Sequence, residues 1–272
     1  MSATVAEVNA VIERLWPLAG AEPWDAPGFL VGTPSAPVGS IHLAVDAVAE
    51  SIDEAIDLGA DLLLVHHPLL LRGVTTVAED RYKGAMIGRL IRANCALVAA
   101  HTNADVVQSG TSGVFAALLG LTDVAPIVPG TDPIQGIGRV GVLPQPTTLG
   151  RLARDLGQLL PATATGIRVA GDYNLPVQRV ALCGGAGDSL LAAPAVLGAD
   201  VYITSDLRHH PASESRANSR VAGGPALIDV SHWAGEWLWL ETAAAQLRDA
   251  LPELTVTVSE LRTDPWDFTI VQ

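Results

Sequence analysis

The chain has 272 residues, a net charge of −13 and a single lysine, Lys83; hydrophobic residues make up 49% of it but aromatic ones only 4%. Phosphate backbones and anionic lipid surfaces are bound by clustered Lys and Arg, so DNA, RNA and membrane surfaces are excluded as partners, and no apolar run approaches the ~18 residues of a membrane span. Cys95 and Cys183 lie far apart with no Cys-x-x-Cys spacing and read as buried free thiols of a cytoplasmic protein.

Met1 to Trp16 carries Val5, Val8, Ile12 and Leu15 at helical spacing with Glu7 and Glu13 among them, which predicts an amphipathic helix and not a signal peptide. A turn-rich stretch, Glu22 to Pro37, follows. Then comes a regular alternation. A strand at Ile41 to Val45 leads to a helix with Val48, Ile52, Ala55 and Ile56 on one face. The strand ending at His66, a helix around Ala85 to Ala93 and the strand ending at His101 complete the series. Strands separated by helices of this length form βαβ units around a mostly parallel sheet. Pro and Gly cluster between Val128 and Gly138, and the pattern then restarts. Strands are expected at Arg139 to Leu143, Val180 to Cys183 and Val201 to Thr204, with a helix carrying Leu149, Leu152, Leu156 and Leu159 on one face. The chain closes with a strand before His232, a helix with Trp237, Leu240, Ala244, Leu247 and Leu251 in register, and a strand from Leu254 to Leu261. The expected architecture is an α/β subunit of two lobes, each a mixed or mostly parallel sheet flanked by helices. Residues 1–128 plus 226–272 would form the first lobe and 129–225 the second.

Six of the seven histidines stand where an apolar strand ends: His66, His67, His101, His209, His210 and His232. Ligands collect at the carboxyl ends of strands in open α/β sheets, and imidazoles with carboxylates make a metal-coordinating set. Adjacent side chains of a regular strand point to opposite faces, so His66 and His67 share one site only if the strand has broken by then, as Pro68 favours; otherwise one is a core residue and the other solvent-exposed. His232 and Glu236 stand at i and i+4 on one face of a helix that Ser231 can cap. Trp233, Trp237 and Trp239 make that helix largely buried, and a buried glutamate needs a partner. Asp105 is a ligand or a helix cap, and His101 a ligand or a residue that orients one. Asp206 to Pro211 can line a cavity, or Asp206 can cap a helix beside an exposed His pair. Cys183 to Asp188 is a tight turn or an anion cradle. Three imidazoles and two carboxylates exceed what one zinc takes and suit two ions about 3.5–4 Å apart.

Val65-His66-His67-Pro68, His101-Thr102-Asn103-Ala104-Asp105, Cys183-Gly184-Gly185-Ala186-Gly187, Thr204-Ser205-Asp206 with His210, Ser231-His232 with Glu236, and Trp24-Asp25-Ala26-Pro27-Gly28-Phe29-Leu30-Val31-Gly32 occur in one order. Over essentially the whole chain this resembles the Nif-three-like proteins, the GTP cyclohydrolase I type 2 homologues. The resemblance implies a toroidal homohexamer with a dinuclear metal site facing an inner cavity. By the same resemblance His66, His67, Asp105, His232 and Glu236 are ligands, Asp105 and Glu236 bridge, and His101 and His210 lie close by. Ala26, Ala104 and Ser205 depart from the family pattern without removing a ligand. The expected cofactors are two divalent ions per subunit, zinc, manganese or iron. The expected function is that of a metal-dependent hydrolase acting on a nucleotide or related small molecule through a metal-activated bridging water, with His101 or His210 moving protons. The alternative is a non-catalytic, metal-holding or regulatory hexameric scaffold.

Overall fold

A computed structural model describes residues 3–271 as two compact units, one of residues 3–104 with Leu240–Thr263 and one of Asp105–Trp239 with residues 264–271. Both are α/β with mixed sheets.

In the first unit five strands lie in the order Thr255–Val258, Ser40–Asp46, Leu62–His67, Ala96–Ala99, Gly28–Val31. The first four run parallel and the last is antiparallel. Leu62, Leu63, Leu64 and Val65 are all buried on both faces of the sheet, which is why this strand reads as an unbroken apolar run and not as an alternation. On one face Leu63, Val65, Leu97 and Ala99 pack with Ile52 and Ala55 of helix Ala49–Asp57 and with Met86 and Leu90 of helix Tyr82–Arg92. The amphipathic N-terminal segment is the helix Val5–Leu15, entered through a capping box in which Thr4 and Glu7 satisfy each other's backbone amides; Met1 and Ser2 lie outside the described residues.

The second unit holds six strands in the order Arg168–Ala170, Ala226–Val230, Val201–Ser205, Pro176–Ala186, Arg139–Thr148, Thr122–Ala125. The second, third and fourth run parallel, and the remaining pairings are antiparallel. Ala181, Cys183, Tyr202, Val196 and Leu227 fill its core. Helix Leu149–Leu159 buries Leu149, Leu152 and Leu156, as its spacing predicts, whereas helix His209–Ala222 buries no residue.

These units are bounded differently from the segments expected. Ala226–Val230 pairs along its whole length with Val201–Ser205, so it belongs to the second sheet. The chain returns to the first unit only from Leu240, and Thr255–Val258 then pairs with Ser40–Asp46. The turn-rich stretch after Glu22 contains a strand, Gly28–Val31, and the strand expected to end at His66 stays paired through His67, opposite Asp46. Cys95 and Cys183 are buried free thiols. Among the described residues no helix is long and apolar enough to cross a membrane.

Leu63 is fully buried in the centre of the first sheet. Leu63→Ala is therefore expected to destabilise the protein by about 2–5 kcal/mol through lost burial and the cavity left behind, read as a lower urea midpoint.

Candidate metal centre

In the first unit two parallel strands deliver three imidazoles to one place. His66 and His67 end the strand Leu62–His67, and His101 follows Ala96–Ala99 by two residues. The ring centroids lie 5.1 Å (His66–His67), 5.1 Å (His66–His101) and 5.4 Å (His67–His101) apart. Each residue can offer a ring nitrogen such that the three atoms lie within 4.8 Å of one another. His66 and His67 share this group although the ladder has not broken before His67. On the side of Ala96–Ala99 the pairing stops at Val65, while on the other side it continues to His67. The two rings therefore stand at the edge of the sheet, where both can reach past it.

Oxygen holds every Nδ1 atom of the group. His66 Nδ1 meets the Ala100 carbonyl at 2.8 Å, His67 Nδ1 meets Asp46 Oδ1 at 2.7 Å, and His101 Nδ1 meets Asp25 Oδ1 at 2.8 Å. A carbonyl only accepts, so His66 Nδ1 carries the proton and its Nε2 is the basic nitrogen; ionised carboxylates impose the same tautomer on the other two. Thr263 donates to Asp46 in turn, at 2.5 Å. Asp25 is gripped from the other side by the Thr102 amide at 3.0 Å and by the Thr102 hydroxyl. Burial, the largest effect on Asp25, pushes its pKa up, but the bonds from His101 and Thr102 outweigh it and hold the carboxyl below its ordinary value.

The second unit carries a group of its own, an imidazole with carboxylates. His232 opens helix His232–Ala250, whose start Ser231 caps by accepting the Ala234 amide at 3.2 Å. One turn on, the buried Glu236 places Oε1 2.9 Å from His232 Nε2. His232 Nδ1 meets Asp206 Oδ2 at 2.8 Å. Burial opposes charge on this ring most strongly, yet the negative charge of Glu236 and the hydrogen bonds to Asp206 and Glu236 hold its pKa well above the ordinary value. Asp206 is not a helix cap. It sits at φ 57°, and Arg208 takes the cap position of the helix beginning at His209 with no side-chain bond.

Of the stretch Cys183 to Asp188, Cys183 to Ala186 continues the strand Pro176–Ala186, and Gly187 leads into the 3-10 helix Asp188–Leu190. Gly185 has φ +75°, and a Cβ built there would stand 2.4 Å from Glu236 Oε1 and 3.4 Å from His232 Nε2. The glycine thus clears the space in which this carboxylate and imidazole meet. Asp105 ends the short helix Thr102–Asp105 and accepts from the Thr111 hydroxyl at 2.5 Å. Burial, then the negative charges of Asp105 and Glu236, push the Cys183 thiol up to about 12. His209 and His210 are exposed with their rings 5.3 Å apart and join neither group.

Sequence reasoning found the imidazoles but missed what holds them, namely Asp25, Asp46 and the orienting role of Asp206. Asp46 carried the signal that flagged the histidines, a polar side chain closing an apolar strand. A donor set of imidazoles and carboxylates, with the room that Gly185 leaves at Glu236, fits a divalent metal ion.

A two-unit α/β architecture with imidazoles and carboxylates at the carboxyl ends of parallel strands defines the class: α/β proteins with a histidine–carboxylate group able to hold a divalent ion. Residues 3–265 match the family described as Duf34/NIF3 (NGG1p interacting factor 3), and the chain belongs to it. It is 48% identical over 269 residues to the GTP cyclohydrolase 1 type 2 homolog of Streptomyces coelicolor, covering 96% of this chain and 93% of the relative. The protein of the same name in Mycobacterium tuberculosis is 34% identical over a 376-residue alignment that covers 98% of both chains. Among solved structures, the Bacillus cereus protein related to NIF3 superposes with a TM-score of 0.89 at 23% identity, over 99% of this chain and 100% of that one. The hypothetical protein SA1388 of Staphylococcus aureus gives 0.88 at 25%, again over 99% and 100%. The fold is the family's.

Two substitutions probe this geometry. Asp46→Asn is expected to weaken metal binding by roughly 10–100-fold, as the loss of an orienting partner does, measured by competition with a chromophoric chelator. Gly185→Ala should push the Glu236 carboxylate away and lower metal stoichiometry while the far-ultraviolet circular dichroism stays native.

Proposed function

We propose that the chain is a metal-dependent hydrolase acting on a nucleotide or related small molecule, with His66, His67, Asp105, His232 and Glu236 as the ligands of a dinuclear centre. The observation that carries this reading is that His66, His67 and His101 have Nδ1 on an oxygen, which makes Nε2 their ligating nitrogen, while His232 lies between Asp206 at Nδ1 and Glu236 at Nε2, the second of which is the contact an ion would replace. The two groups are complementary. Neutral imidazoles cannot offset the charge of two dications, and Asp105 and Glu236 supply the carboxylates that can, including by bridging. Bound divalent ions would supply Lewis acidity and a water acidic enough to ionise near neutral pH. His101, held by Asp25, would move protons; for His210, which is exposed on its helix and joins neither group, that role rests on the family resemblance alone. With a net charge of −13 the chain has few cations of its own for an anionic substrate, so the ions would also neutralise it. The relatives' name, GTP cyclohydrolase 1 type 2 homolog, is what suggests a purine nucleotide. By the same family resemblance the working form is a homohexamer.

A second reading, a metal-holding or regulatory hexameric scaffold without turnover, is favoured by the family's description, which names an interaction and not a reaction. Turnover separates the two. Metal-loaded protein with about two ions per chain is expected to hydrolyse at least one member of a nucleotide and phosphoester panel, and both His66→Ala and Glu236→Ala to abolish that activity. Metal binding with no turnover across the panel would favour the scaffold.

A further inference from the structure

We infer that Trp24 is the stacking platform for a planar heteroaromatic group, a nucleobase, bound beside the imidazoles of the first unit; the inference rests on the reading above and names the part of the substrate that the metal ligands do not touch. Trp24 is 61% exposed, and its ring centroid lies 5.9 Å from that of His101, with the planes at 80°. The next residue is its opposite, for the Asp25 side chain is wholly inaccessible.

That contrast makes the loop a rigid mount. The Asp25 amide donates to the Glu22 carbonyl at 3.0 Å, the Glu22 amide to Thr102 Oγ1 at 2.9 Å, and the Ala26 amide to Asp25 Oδ1 at 2.7 Å. The Asp25 carboxylate in turn binds the His101 ring and the Thr102 amide, at 2.8 and 3.0 Å. One short loop therefore fixes the tautomer of His101 and holds an open indole next to it. A rigid aromatic side chain presented to solvent binds flat partners at low entropic cost, and base–aromatic stacking works with any base because each has a π-face. In a chain with so little basic charge, stacking supplies the affinity that Lys and Arg give elsewhere.

The test is calorimetry on the metal-loaded full chain, with guanosine 5′-monophosphate and, as the probe lacking a base, ribose 5-phosphate. Wild type is expected to bind the nucleotide more tightly than the sugar phosphate. Trp24→Ala should weaken nucleotide binding by about 5- to 100-fold while leaving ribose 5-phosphate binding and metal content unchanged, and Trp24→Phe should keep most of the affinity. Equal nucleotide affinity in Trp24→Ala and wild type would overturn the inference, as would wild type that fails to bind the nucleotide. So would a change in sedimentation coefficient in Trp24→Ala, which would make the indole a contact between copies of the chain. Failure of wild type to take up metal while Trp24-dependent nucleotide binding persists would overturn the metal reading alone.

Discussion

An imidazole can offer Nε2 to an ion only when something else fixes the proton on Nδ1, and this constraint organises the chain's chemistry. Four strand-end histidines have Nδ1 on four different acceptors, the Ala100 carbonyl, Asp46, Asp25 and Asp206, and His232 also has Nε2 on Glu236. Three of the four Nδ1 acceptors are carboxylates, which also strengthen the basicity of the nitrogen on the far side of the ring. The acceptors are themselves restrained, Asp25 by Thr102 and Asp46 by Thr263. Rigid placement of the rings therefore passes through a layer of polar side chains behind them.

The sheets explain why the groups form where they do. Parallel strands bring their carboxyl ends to one edge, and buried apolar runs such as Leu62 to Val65 hold that edge in place. A polar side chain at the last residue of such a strand is already oriented before any ion arrives. The second unit adds a device of its own. Its Gly185 lets the backbone pass within reach of Glu236, and the carboxylate can lie buried because His232, one turn away, partners it. Burial and the charges of Asp105 and Glu236 push the pKa of the Cys183 thiol up.

Much of this was legible in the sequence. Histidines that interrupt apolar runs stand out because nothing in a hydrophobic core calls for them, and His232 with Glu236 declared a helix face by spacing alone. The helices with clear apolar stripes, such as Leu149–Leu159, fell where periodicity put them. Elements without a stripe did not: Thr122–Ala125 is an edge strand exposed at all four residues, and Gly28–Val31 is hidden among prolines and glycines. An apolar run says that a strand is buried, not in which sheet, so Ala226–Val230 was expected in the first lobe although it pairs in the second unit. The orienting aspartates were illegible for a different reason. Aspartate in a turn is ordinary, and only a partner distant in sequence, as Asp25 is from His101, gives it a role.

X-ray absorption spectroscopy at the metal edge, on protein purified without added metal, tests the central claim most directly. The account predicts a first shell of nitrogen and oxygen only, at about 2.0–2.2 Å, as zinc bound by His and Asp/Glu shows, with the outer-shell scattering of several imidazoles. A sulfur scatterer at about 2.3 Å would contradict it, because the account gives the ions only imidazole and carboxylate ligands, and so would a spectrum without imidazole scattering.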